Sequence, residues 1–481
     1  MLDYQPIDHS HPPSDQPNVA TGLGQPYHLA QPKVALFHCM DLIDDFLDHI
    51  GWSLEKFCDE FTANWMYGFT QALQQVGVET VIFCISARVD TVSRFIHKPT
   101  GSTICVIPAS KPYRLYQSFK RRSLKAYGGG ESHSFKEITD TNPLRRRVLT
   151  SIKNVVQSVG SYLATPSEVL AQELQREGCQ AVLCQEYEFP RFDTCTLVGK
   201  RSGIRVFATF QGGDKIHSWL EYPLRHLAFR ACTGLIIGPQ TEINRVKHNY
   251  HVPDAKIARI FNPLDVGEWV PPSRVQARDA LGIPHEAKVV VYHGRMDLHR
   301  KGLDVLMAAW EMLCRDRPQV DLRLLLLGSG PDAEKLQQII ETRQLKGILW
   351  RNQFVSDRAI IQQHLAAADV YTLPSRQEGF PIAPIEAMAV GLPVVAADAP
   401  GVPDILEQGE HSGGLVVPRE DVNALAEALG NVLDNDEWRH ELGQRAHQRI
   451  EQAFAPYAVG LQLRQFLLGE PAKSSSQLQS H

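Results

Sequence analysis

Glu378 and Glu386 stand eight residues apart, and Gly379-Phe380-Pro381 directly follows the first of them. Two carboxylates at this spacing can each accept hydrogen bonds from hydroxyls. The Gly-Phe-Pro between them reads as the start of a helix, whose free backbone N–H groups and dipole suit a phosphate. At about 1.5 Å of rise per residue, Glu386 then lies about 7–8 Å further along the axis. That is the offset between a diphosphate and the ribose carrying it. Glu378 falls on the other side of the same anion site.

Further chemistry-bearing residues follow other apolar runs. After Val289–Tyr292 comes His293-Gly294-Arg295-Met296-Asp297-Leu298-His299-Arg300-Lys301-Gly302. Gly294 lets a ligand approach the backbone. Arg295 can grip a phosphate in two places, and Lys301 acts as a point charge. Leu324–Leu327 runs into Gly328-Ser329-Gly330-Pro331, a strand-then-glycine turn short of the full dinucleotide fingerprint. Ile348–Trp350 is followed by Asn352-Gln353-Phe354-Val355-Ser356-Asp357. Its backbone could meet a base, while Ser356 or Asp357 caps the next helix. Ordinary turn chemistry accounts for each segment alone; their order along one domain is what points to a ligand.

These residues need elements to hold them. Val34–Phe37, Val81–Ile85, Ile104–Ile107, Ala181–Cys184, Val206–Thr209 and Leu235–Ile237 read as buried strands. Helical spacing lies between several of them, as in Phe61–Gln75 and Ser167–Glu177. A second series, Val289–Tyr292, Leu322–Leu327, Ile348–Trp350, Val370–Leu373, Val394–Ala396 and Gly414–Val417, alternates with helical stretches such as Leu303–Cys314 and Pro384–Val390. Alternation of this kind predicts two parallel α/β units, with ligands bound beyond the carboxyl ends of their strands. The predicted division is a flexible arm over 1–31, a Rossmann-like domain over 32–270, and a second over 271–455. Residues 456–481 then form a C-terminal helix returning toward the first domain and a polar tail. The Pro-containing stretch 263–284 is the expected linker.

The 481-residue chain has a formal charge of −5, which gives no general attraction for nucleic acid. No nucleic-acid-binding module accompanies its basic segment, Lys111–Lys125, where Tyr113, Tyr116 and Phe119 interleave with six cations and no acid. That segment reads as a solvated surface or as a patch for an anionic acceptor or membrane surface. No apolar run reaches the roughly 18 residues of a membrane span, and no leader pattern opens the chain. A cytoplasmic protein, peripheral at most to the inner membrane surface, is expected. The nine cysteines are scattered, several in apolar runs, as for reduced core thiols. No metal-ligand spacing is evident, so neither a metal nor a cofactor is expected.

Taken in order, the basic pair, glycine turn, Phe-Val turn and paired glutamates resemble the retaining nucleotide-sugar glycosyltransferases of the GT-B fold. This is the family-four group that contains sucrose synthases and bacterial glycan-assembly enzymes. The resemblance is strong over about residues 230–455 and weaker over 33–230. Its most specific element runs from Glu378 to Glu386 and on through Gly391-Leu392-Pro393-Val394-Val395. It implies two Rossmann-like domains facing across a cleft, and transfer of a sugar to a glycan, lipid-linked or small-molecule hydroxyl without a metal. It implies that Glu378 contacts the donor sugar, that the backbone of Gly379, Phe380 and Pro381 meets the diphosphate or sugar, and that Glu386 binds the ribose. Arg295 and Lys301 would hold the diphosphate beside Gly294, with Phe354 and Val355 at the base. Ile260-Phe261-Asn262-Pro263-Leu264-Asp265 resembles the family's junction segment, with Pro263 in place of its glycine.

The first half departs from the pattern. Its first strand runs into His38-Cys39-Met40-Asp41, not a glycine-rich turn. Gln185-Glu186-Tyr187-Glu188 lacks the histidine often found after the middle strands, and Gln211 stands where a histidine is frequent. His38 is the candidate for handling the acceptor proton, against a purely structural role. A sugar-nucleotide epimerase or hydrolase, or an inactive sugar-nucleotide-binding protein, would use the same donor residues.

Overall fold

The computed structural model describes residues 31–469, less residues 39–40, 62–64, 118–142, 213–217 and 356. Two parallel sheets organise them. The first contains β1 (Lys33–Phe37), β2 (Glu79–Ser86), β3 (Ser93–Ile96), β4 (Thr103–Pro108), β5 (Ala181–Cys184), β6 (Arg205–Thr209), β7 (Gly234–Ile236) and β8 (Ile257–Ala258). Its strand order is β3-β4-β2-β1-β5-β6-β7-β8, and only β3 runs antiparallel to its neighbour. The second contains β9 (Lys288–His293), β10 (Leu322–Leu327), β11 (Ile348–Arg351), β12 (Val370–Leu373), β13 (Val394–Ala397) and β14 (Gly414–Val417), in the order β11-β10-β9-β12-β13-β14.

Each apolar run predicted as a strand is one. Val, Ile and Leu fit a sheet covered on both faces, and the central strands are buried along nearly their whole length. β3 and β8 escape prediction for physical reasons. β3 is an edge strand of sequence Ser-Arg-Phe-Ile, half its residues exposed, and β8 is two residues long.

The second sheet winds outward in one direction from β9 to β11, then back to β12 and on to β14. The winding reverses between β9 and β12, which pair directly through Val290 with Val370 and Val291 with Tyr371. Connections leave the two strands in opposite directions, so a crevice opens at their carboxyl ends. His293 ends β9 and the loop after it carries Gly294–Lys301, while the loop after β12 carries Glu378 and leads into the helix that holds Glu386.

The expected linker over 263–284 is not an open tether. It contains the helix Arg274–Leu281, started by a reciprocal Ser273–Gln276 capping box and ended at Gly282. Arg278 lies 1% exposed and donates to the carbonyls of Ala367 and Ala287 at 3.0 and 2.9 Å, and to Asp369 at 2.9 Å. Asp369 also accepts from the backbone of Val289 at 2.8 Å, at the beginning of β9. Burial pulls the Arg278 guanidinium below its ordinary range and Asp369 pushes it back up. The linker is thereby welded to the base of the second sheet. At the other end of the chain, the helix Pro456–Leu468 packs on the first domain. Arg464 donates to the carbonyl of Val76, and Phe466 meets Phe207 of β6 edge-on at 5.3 Å.

Replacing Arg278 by Met should lower stability by about 3–5 kcal/mol, as expected when a buried charge pair loses one partner. Arg274→Ala should cost less, about 1–2 kcal/mol, because the Arg274 side chain is 44% exposed although it also reaches the buried Asp369, at 2.6 Å. Urea unfolding of the two variants beside the parent chain measures both.

Candidate functional site

His293 is the last residue of β9 and is 7% exposed. Its Nε2 lies 2.7 Å from a carboxylate oxygen of Glu386. Glu386 belongs to the helix Ala383–Ala389, where its own N–H reaches the carbonyl of Ile382 at 3.0 Å. This helix starts later than Gly379-Phe380-Pro381 suggests. Pro384 occupies the second helical position, where its fixed φ favours a first turn and its missing N–H is no loss. Gly379, Phe380 and Pro381 are loop residues, and Glu386 lies about 4.5 Å along the axis from the helix start.

Lys301 Nζ sits 2.7 and 2.8 Å from the two oxygens of Glu378. Both side chains are largely covered, at 20% and 7% exposure. The fold brings them together by docking the loop after β9 onto the loop after β12. The backbone N–H groups of Arg376 and Gln377 donate to the carbonyl of Arg300. The Arg376 guanidinium grips Asp304 through two bonds, at 2.7 and 2.8 Å, and reaches the carbonyl of His299 at 2.9 Å. Gly302, beside Lys301, permits this approach. Its φ is +62°, and a β-carbon there would stand 2.0 Å from the carbonyl oxygen of Pro374.

The loop after Glu378 also meets the first domain. Gly379 lies so near Gly212, after β6, that a β-carbon on Gly379 would sit 2.8 Å from the Gly212 α-carbon. Phe380 stacks on Phe261 of the junction segment at 5.3 Å, and Phe261 stacks on Phe454 at 4.9 Å. Gln211 exchanges side-chain hydrogen bonds with Asn262, and its N–H donates to Glu186 at 2.9 Å. Arg259 and the backbone of Gln240 both reach Asp404 of the second domain, at 2.7 and 2.9 Å.

Lys301 with Glu378, and His293 with Glu386, are thus assembled at the β9–β12 reversal, beside Gly294. Arg295 is exposed on the same loop and, among the described residues, forms no ion pair with either glutamate. Phe354 stands 87% exposed after the edge strand β11, with Val355 half-buried beside it, while Asp357 caps the next helix through Ala359. Pro381 is buried. His293 had no role in the sequence reading. Its signal, a histidine ending an apolar run, becomes specific only once β9 and β12 are known to be neighbours. Its Nδ1 is buried without a partner among the described residues, as are Thr372 Oγ1 and Ser375 Oγ on and after β12. Orphaned polar atoms cost about 1–3 kcal/mol each when left so. Their collection at one pair of strand ends fits a place where a polar ligand sits.

His38 lies elsewhere, at the carboxyl end of β1, and is 4% exposed. Burial, aided by the nearby Arg191 guanidinium, pulls its pKa down to about 3. Arg191 also donates to the carbonyl of His38, which fixes that turn. An imidazole held neutral to so low a pH is a poor proton acceptor, which argues against His38 as the group that handles the acceptor proton.

Residues 287–435 match the family described as Glycosyl transferases group 1. A D-inositol 3-phosphate glycosyltransferase of Corynebacterium urealyticum is 33% identical over 221 residues, covering 44% of this chain and 51% of that protein. The chain spans about half the length of several of the curated relatives it matches, 50–54% of them. Sucrose-phosphate synthase from Thermosynechococcus elongatus superposes with a TM-score of 0.59 at 18% identity, over 90% of this chain and 98% of its own. Anabaena HepE, solved in complex with UDP, superposes with a TM-score of 0.62 at 15% identity, over 91% and 100%. The shared architecture is GT-B, two parallel-sheet domains that meet at their strand ends.

The depressed pKa of His38 has a measurable consequence. Unfolded, the imidazole takes a proton below about pH 6.5; folded, it does so only near pH 3. Its contribution is fully present above pH 6.5 and is lost as the pH falls toward 3, by about 1.4 kcal/mol for each unit at most. His38→Gln should remove that slope. Unfolding free energies measured from pH 7 to 5 in both chains should converge as the pH falls; parallel curves would contradict the assignment.

Proposed function

We propose, from the match of residues 287–435 to the glycosyl transferases group 1 family and from the GT-B fold, that the chain transfers a hexose from a nucleotide-diphosphate donor to an acceptor hydroxyl. The acceptor is a glycan, a lipid-linked sugar or a small molecule. The proposal includes retention of anomeric configuration, independence of metals and cofactors, and a cytoplasmic setting with peripheral membrane contact on the Lys111–Lys125 side.

The observation that carries it is the pair of couples at the winding reversal, Lys301 with Glu378 and His293 with Glu386. Breaking a sugar–phosphate bond leaves growing negative charge on the diphosphate. Lys301 and Arg295 on the loop after β9 meet that charge, and fixed cations act most strongly in the transition state. This supports a route that needs no metal. Lys301 is already ordered by Glu378, so little freedom is lost when the donor arrives. Glu378 keeps lone pairs for donor-sugar hydroxyls. Glu386 accepts from the ribose, and the His293 ring, 2.7 Å away through Nε2, holds its carboxylate in place. Phe354 and Val355, two strands away from β9 and so about 10 Å across the sheet, are on the side that remains for the base. The acceptor hydroxyl attacks the anomeric carbon from the face the diphosphate leaves. Its proton passes to a departing phosphate oxygen, and the configuration is retained.

The reaction is tested by incubating the chain with nucleotide-diphosphate sugars and hydroxyl acceptors in the presence of a chelator. Acceptor-dependent nucleotide release is expected; no donor consumption across a broad panel would refute the reading, and equal consumption without acceptor would favour a hydrolase.

Within that reaction, Glu386→Ala should weaken nucleoside-diphosphate binding about 10–100-fold, the worth of a hydrogen bond to a charged group. His293→Ala should weaken it less, about 2–10-fold, with recovery in His293→Gln if an N–H donor is what matters. Calorimetric titration with UDP and other diphosphates measures both. Arg295→Ala should lower kcat by about 100–1,000-fold with a smaller change in KM. Unchanged kinetics in a folded variant would remove Arg295 from the site.

A further inference from the structure

The helix Pro143–Ala164 carries four cations, Arg145, Arg146, Arg147 and Lys153, and no acid. One side of it is fastened to the first domain. Ser158 donates to Ser218 at 2.8 Å, Ser161 to Asp41 at 2.6 Å, and Tyr162 to Asp193. The other side is apolar and open: Ile152, Val156, Val159 and Leu163 are 56%, 47%, 41% and 38% exposed. At about 100° per residue these four fall within an arc of about 60°, and Arg145 lies on the same line. The stripe runs about 16 Å along the helix.

The surface continues beyond the helix. Ser218, bonded to Ser158, precedes Trp219, which is 71% exposed, and Tyr222 is 55% exposed one residue past Glu221, another partner of Ser158. The described residues between 111 and 164, namely 111–117 and 143–164, hold six Lys and Arg and no Asp or Glu, inside a chain of formal charge −5.

We propose that this face of the first domain docks on an anionic lipid bilayer, with the Pro143–Ala164 helix lying in the plane of the headgroups. An apolar stripe flanked by cations is the signature of an interfacial helix. Exposed Trp and Tyr prefer the same depth, where an apolar ring and a polar edge are both satisfied. A second copy of this chain is the poorer occupant. A two-fold pair would set each surface against itself, bringing together two helices that each carry four cations and no acid. The helix is a surface element, since no helix among the described residues is long and apolar enough to cross a membrane. The inference moves the membrane contact proposed above from Lys111–Lys125 to a described helix. It rests on that contact and not on sugar transfer, so it is tested without a donor.

The full chain is sedimented with vesicles of phosphatidylcholine alone or of phosphatidylcholine and phosphatidylglycerol in equal parts. Binding to the anionic vesicles only, falling as salt rises, is expected. The double variant Val156→Asp with Val159→Asp should bind about tenfold less or weaker, with its circular dichroism and thermal midpoint unchanged. Trp219→Ala gives a second, independent reduction. Equal binding by parent and double variant, or no binding to anionic vesicles, would overturn the proposal. So would a parent dimer in light scattering that the double variant abolishes, which would assign the face to a second copy. Sugar transfer to a soluble acceptor is read separately, and its presence or absence leaves the outcome of the vesicle experiment intact.

Discussion

Arg376 joins the two loops on which the site depends. Its guanidinium holds Asp304 and the carbonyl of His299, while its own N–H holds the carbonyl of Arg300. Without that tie, the loop after β9 would be a string of charged residues in water, free to place Lys301 anywhere within a side chain's reach. With it, the ammonium group stands beside Glu378 before any ligand is present. The side-chain contact adds Glu420, so the clamp is anchored to a third loop as well. The reversal of strand order supplies the crevice, and Arg376 fixes the geometry of its two lips.

The charges in the crevice are arranged as mutually satisfied couples. A lone carboxylate as covered as Glu378 would be costly to keep ionised, and Lys301 removes that cost at close range. His293 holds Glu386 in the same way, through a single contact of 2.7 Å from Nε2. Such couples are stable while empty and can still be shared, because an ammonium has three donors and a carboxylate about four acceptor sites. Arg295, exposed and without an ion pair to either glutamate, is the more adaptable of the two cations.

Most of the architecture was legible in the sequence, because strands covered on both faces must be written in Val, Ile and Leu. The edge strand β3 was not, since half of it faces water, and a two-residue strand such as β8 leaves no pattern at all. The helix inside the expected linker was hidden by its flanking prolines, although Ser273 and Gln276 form a capping box that spacing alone could have revealed. In the site, Glu378, Glu386 and Lys301 were legible as residue types in order. Their partners were not. Which side chain faces Glu386 depends on β9 lying next to β12, a fact of topology and not of local spacing. The helix was legible as Pro384–Val390, one residue from its observed bounds; what fails is Gly379-Phe380-Pro381 as its start, since Pro384 in the first turn sets it. His38 looked available because it follows a strand; only packing reveals that it is shut inside.

The contact between Gly212 and Gly379 gives the molecule a gauge. The two domains meet there backbone to backbone, with no side chain between them on either side. Their nearest approach at that point is therefore set by the thickness of the polypeptide itself, a dimension that neither rotamer changes nor solvent can alter. A contact cushioned by side chains can give by a rotamer change. Two bare peptides cannot, so a side chain added at Gly379 must push the loops after β6 and β12 apart.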